Sequence, residues 1–109
     1  MSVVSNVILS FSVGEDESQR MKDVNEFDIN GNKINLVSAD FQRKENYEAK
    51  AWYGGSKYLE KPLYIGAYNN FNLNGFIDHL KTIIWDEPEN VQLIINEQNE
   101  DLFKVVRLT

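Results

Sequence analysis

The chain has 109 residues, 42% of them hydrophobic and 26% charged, which is enough for one core and too short for two, so a single domain over residues 1–109 is expected. It contains no cysteine, which excludes disulfides, thiolate zinc sites and a Cys nucleophile. A formal net charge of −6 opposes a nucleic-acid backbone and favours a protein partner with a basic surface.

The opening "MSVVSNVILSFSVGEDE" lacks basic residues before its apolar run and has no convincing cleavage site, so it reads as a strand rather than a signal peptide. No apolar run approaches the roughly 20 residues that a bilayer-spanning helix needs. Both points lead to a cytoplasmic expectation with no membrane partner. Residues 3–13 mix alternation (Val7, Leu9, Phe11, Val13) with further apolar residues at Val4 and Ile8, which predicts a mostly buried first strand. Gly14 and the acidic "EDES" break it. Asp16 or Ser18 then caps a short helix whose apolar positions are Met21, Val24 and Phe27, with Asn30-Gly31 as its stop.

"KINLVSADF" (33–41) predicts a second strand, and "QRKENYEAK" a polar loop or ragged extension. The glycines of "KAWYGGSKYLEKP" read as a turn into the β-rich "PLYIGAY", with Pro62 at the strand start, where a missing N–H does least harm. Leu73, Phe76, Ile77, Leu80, Ile83 and Ile84 fall on one face of a second helix, capped by Asn72 or Asn74 and closed before Pro88. "VQLII" and "LFKVVRL" are two strands flanking the polar turn "NEQNED". The predicted order is β-α-β-β-α-β-β. It implies an α+β fold with an antiparallel sheet, both helices on one face, and a split-βαβ (ferredoxin-like) plan carrying an extra C-terminal hairpin strand.

Candidate chemistry is thin. "GGSK" (54–57) lacks the P-loop spacing and the helix N-terminus that a phosphate site uses. "DINGNK" (28–33) begins like a calcium loop, but Lys33 stands where that loop requires Gly and Ala39 where it requires Glu, leaving a turn. His79, the only histidine, sits at the edge of the apolar stripe without a neighbouring nucleophile or orienting carboxylate. One His and no Cys leave only carboxylates as metal ligands, and those are spread over expected solvent faces, so no metal or cofactor is expected. With no nucleophile set and little room for a cleft, no enzymatic activity is expected either. The distribution of charge is more informative. From Thr82 to Phe103 there is no Lys or Arg, whereas Asp86, Glu87, Glu89, Glu97, Glu100 and Asp101 all fall there, a one-signed patch if the segment folds back on itself. Trp52 and Tyr53 beside the glycines are either apolar anchors for a partner or a buried corner, since aromatics dominate both settings.

The segment from Gly54 to Val106 resembles a group of small bacterial proteins associated with toxin-immunity gene pairs. The likeness rests on the "GGSKYLE" start, an aromatic-Asn pair before the "NLNGFIDHL" helix, the "WDEPENVQL" link and the acidic "EQNEDLF" turn. It implies a cytosolic immunity protein that neutralises a cognate toxin by occluding its active or functional surface, with a basic toxin domain, nucleases included, as the partner. On that reading Trp52, Tyr53, Asp86, Glu87, Glu89, Glu97, Glu100 and Asp101 are the partner-binding residues. Two other readings stay open. One is a regulatory or structural subunit that forms a homodimer or extends a partner's sheet; the other is a small-molecule domain using His79 and Tyr68.

Overall fold

The computed structural model describes residues 4–29, 31–39 and 60–109. Period-two alternation builds β1 (Val4–Ser10): Ser5, Val7 and Leu9 turn to one side and are buried, while Val4, Asn6 and Ile8 turn to the other and are half-buried. After it come α1 (Glu17–Val24), a small hairpin of β2 (Asp28–Ile29) and β3 (Asn32–Lys33), and β4 (Val37–Ser38). Then follow β5 (Leu63–Asn69), α2 (Leu73–Thr82), a 3-10 turn (Pro88–Asn90), β6 (Gln92–Glu97) and β7 (Lys104–Arg107).

Five strands form one sheet in the order β4-β5-β1-β6-β7, and every neighbouring pair is antiparallel. The connections from β1 to β4 and from β5 to β6 each skip a strand, and each carries a helix. This is the α+β ferredoxin-like plan that the sequence predicts, with β7 added outside β6. Both helices cover the same face: Met21 and Val24 of α1 and Phe76 and Leu80 of α2 share one core with Val7, Leu9, Leu93 and Ile95. Register makes this possible, since Val7 lies opposite Ile95 and Leu9 lies between Tyr64 and Leu93.

Both helix starts are where capping chemistry places them. Asp16 accepts from the Gln19 N–H at 3.2 Å, and Asn72 accepts from the Gly75 N–H at 3.1 Å. The ends differ from the sequence reading. α1 stops at Val24, short of Phe27, because Asn25 turns its side chain to the next segment, accepting from Leu36 N–H at 3.0 Å. Phe27 instead packs by ring contact against Phe71, Phe76 and His79. The turn containing Gly31 (φ +87°) closes the β2–β3 hairpin rather than ending a helix. The strand expected over 33–41 is broken into β3 and β4, with the buried Ile34 and Leu36 between or beside them filling the core.

The second helix is also shorter than its apolar period suggests. Its backbone turns extended at Ile83, which remains buried, and Ile84 is thrown outward to 84% exposure. Buried Trp85 then folds back, and its indole N–H donates at 2.9 Å to the Leu80 carbonyl, which also accepts from the Ile83 N–H at 3.2 Å, so both bonds close the helix end on one oxygen. Truncating Leu80 to Ala should therefore cost about 2–5 kcal/mol in chemical denaturation. The same change at Ile84 should stay within about 0.5 kcal/mol of wild type, the value for a side chain outside the core.

Candidate partner-binding surface

The segment leaving β1 meets the segment leaving α2 through a buried carboxylate. The Glu15 side chain is 0% exposed. It accepts from the backbone N–H of Asp86 at 3.1 Å and of Glu87 at 2.8 Å, and it pairs with Arg20 Nε at 2.8 Å. Ser12 adds a second tie, its hydroxyl donating to the Glu87 carboxylate, and Arg20 Nη2 lies 3.6 Å from Asp86. Burial pushes the Glu15 carboxyl up, but the two N–H groups and the guanidinium outweigh it and hold the group below the usual carboxylate range. Asp86 and Glu87 are thus fixed in place as much as displayed. Glu89 is exposed, and its carbonyl accepts from Arg107 Nη2 at 2.6 Å.

A second acidic group sits at the far end of β6. Because Asp86, Glu87 and Glu89 precede the strand while Glu97, Glu100 and Asp101 end or follow it, the two groups are about 17–20 Å apart along six residues of strand. The single patch expected from the sequence is therefore two clusters. The second is the β6–β7 turn. Glu97 is half-buried and accepts from Ser5 Oγ at 2.7 Å, so it belongs partly to the sheet. Glu100 reaches Lys104 at 3.5 Å, and Asp101 is exposed.

The turn carries apolar groups that the sequence pattern had assigned to a strand. Leu102 is 78% exposed and Phe103 52%. Its backbone is nonetheless held: Asn96 Nδ2 donates to the carbonyls of Glu100 at 2.9 Å and Leu102 at 3.2 Å, while Asn96 Oδ1 accepts from Asn6 Nδ2 at 3.1 Å. The result is an acidic and apolar loop whose shape is fixed from below by a side chain of β6, the strand that leads into it. Trp52 and Tyr53, and the glycine turn beside them, lie outside the described residues.

The histidine and tyrosine of the ligand-binding reading are not brought together. His79 lines an open cleft of about 590 Å³ between the helices, with Asp23, Glu26 and Thr82. Its Nε2 lies 2.8 Å from the Asp23 carbonyl at the end of α1, and its ring packs on Phe27 and Phe76. Tyr68 lines a different hollow of about 250 Å³ near the β2–β3 hairpin, where its hydroxyl accepts from Asn35 N–H at 3.1 Å. Burial raises the Tyr68 phenol, and the Asn35 bond only partly offsets that. Among the described residues no group of three or more His, Cys, Asp or Glu side chains could hold a metal ion, and no helix is long and apolar enough to cross a membrane.

Comparison with models of known protein families, with curated proteins and with solved structures finds no match.

The Glu15 clamp has a pH signature. A carboxyl held below its unfolded value of about 4.3 stabilises the fold above that pH, and the stabilisation is lost as pH falls through the native value. Glu15→Gln should cost about 2–4 kcal/mol at neutral pH, because Arg20 and two backbone donors lose a charged acceptor. Urea denaturation from pH 7 to pH 3 should show the gap between variant and wild type closing at the acid end.

Proposed function

We propose that this chain is an immunity protein, acting in the cytoplasm without chemistry of its own, that binds a cognate bacterial toxin and occludes its active or functional surface. The observation that carries this reading is the β6–β7 turn. It displays Leu102 and Phe103 beside the acidic Glu100 and Asp101 on a backbone already held by Asn96. An exposed aromatic gives area to a contact at little conformational cost, and a pre-formed loop loses little entropy when a partner closes on it. The carboxylates supply long-range attraction to a basic surface such as a nuclease cleft. The resemblance of residues 54–106 to immunity-associated proteins points the same way, and the "EQNEDLF" motif that helps to carry it is this turn.

Of the two acidic clusters, the hairpin is the better docking face. It sets exposed Leu102 and Phe103 beside its acids, whereas the backbone of Asp86 and Glu87 and the Glu87 carboxylate serve the clamp around Glu15. The test is co-expression with the C-terminal domain encoded by the adjacent upstream gene, scored by cell survival and co-purification. Rescue with a stoichiometric complex is expected; loss of the complex with both proteins folded would sink the proposal. Within such a complex, the combined variant E100K/D101K/F103A should weaken binding by about 3 kcal/mol or more, and wild-type association should slow with added salt. Isothermal titration and stopped-flow mixing read these two effects separately, and unchanged affinity would move the interface off the hairpin.

A further inference from the structure

The helix-free face of the sheet has a different character from the rest of the molecule. Antiparallel register aligns Val37, Ile65, Ile8, Ile94 and Val105 in one row across all five strands. The two ends and Ile65 are exposed, with Val105 at 57%, and the inner Ile8 and Ile94 are half-buried. The paired strand residues that share this face include no acid, and Arg107 is their single charged side chain. In a chain of net charge −6, the paired strand residues on this side are free of acids.

We infer that this face is where a second copy of the chain docks, sheet against sheet about a two-fold axis. Two observations select a second copy over another partner, and a third sets the strength of the contact. First, the row reads Val-Ile-Ile-Ile-Val, so it is the same from either edge. A two-fold axis lying along β1 between the sheets sets Ile8 on Ile8, Ile65 on the other copy's Ile94, and Val37 on its Val105. Self-complementarity of this kind is what an isologous interface requires. Second, two strongly acidic copies repel one another, and this is the approach on which no carboxylate of the paired strands meets its like. A basic partner, by contrast, has nothing here to attract it. Third, the size fits a reversible contact. Strands of 7, 7, 6, 4 and 2 residues, rising about 3.4 Å per residue and spaced about 4.8 Å apart, give roughly 400 Å² of flat face per copy, so the pair covers about 800 Å², below the standard interface of about 1,600 Å². The dimer therefore dissociates on dilution. This inference does not depend on the toxin reading, because it uses the opposite attributes of a different surface.

The absence of native cysteine makes the face easy to probe in the full chain. Mass should be measured by sedimentation from low micromolar to near-millimolar concentration. It should be read beside the thiol-labelling rate of Ala67→Cys, exposed on this face opposite Asn6, and of Ser18→Cys, exposed on α1. The expected result is a shift from monomer to dimer mass, with labelling at position 67 slowing severalfold over the same range and labelling at position 18 unchanged. The double variant I65E/V105E should remain monomeric with an unaltered circular-dichroism spectrum. A monomer throughout the range overturns the inference, as does a dimer whose position-67 labelling does not follow concentration. Slow labelling in a persistent monomer would also overturn it, since the chain's own residues would then cover the face.

Discussion

The fold hangs on the pairing of β1 along both of its edges. With β5 on one side and β6 on the other, its residues are locked by register to both halves of the sheet. Ser5, Val7 and Leu9 then share a side with Gly66, Tyr64, Ile95 and Leu93, and the helices close over them. A one-residue slip of β1 would bring Asn6 and Ser10 under the helices and expel Leu9 and Val7. Even Gly66 belongs to this constraint. A Cβ there would lie 2.6 Å from the Tyr68 hydroxyl and 2.9 Å from Leu36, so the strand next to β1 keeps a bare backbone where the segment preceding β4 crosses it.

Beyond the sheet, stability and display meet at Glu15. A buried charge contributes only when its partners are close and well directed, and here one carboxylate joins two N–H groups and Arg20. Those partners span the exit from β1, the first turns of α1 and the passage from α2 to β6. The clamp therefore fixes how α2 is followed by Trp85 and the 3-10 turn, and it sets the entry into β6. The hairpin at the other end of β6 inherits that placement through the strand. Asn96 does for the hairpin what Glu15 does for the opposite end, by binding the carbonyls that the turn leaves open.

Much of this was legible in the sequence because periodicity is a local signal. Alternation in "VSNVILS" and the helical spacing of Leu73, Phe76, Ile77 and Leu80 sufficed for the order of elements, and the order with antiparallel pairing led to the split-βαβ plan. Asp16 and Asn72 acted as the caps that their side chains suggest. What failed was whatever depends on particular side-chain partners rather than on period. Ile84 continues the helical period yet lies outside the helix, because Trp85 turns back to Leu80 and ends it. Glu15 looks like one more acid of an N-terminal helix cap, and its main partners lie 71 and 72 residues away. The six acids after Thr82 are contiguous in one-signed sequence but are parted by β6. Lys104 and Arg20 approach them from other elements. Leu102 and Phe103 have strand-like chemistry and were missed as a display surface. The available signal was their position directly after "NED", where a turn exposes whatever follows it.

The division of charge over the surface links the two proposed contacts. A small acidic domain must keep copies apart at the ends where it attracts a basic target, or self-association would compete with that target. Placing the carboxylates on loops at the ends of β6, and leaving the broad helix-free side to Ile, Val and Asn, separates the two demands in space. The Asn6–Asn96 bond marks the border: Asn96 uses its oxygen toward Asn6 and its nitrogen on the acidic turn. A copy docked over Ile8 and Ile94 would press on the same asparagine pair that shapes the loop carrying Leu102 and Phe103. Both contacts would then bear on one asparagine pair beneath a loop that is already held, so neither requires a change of fold.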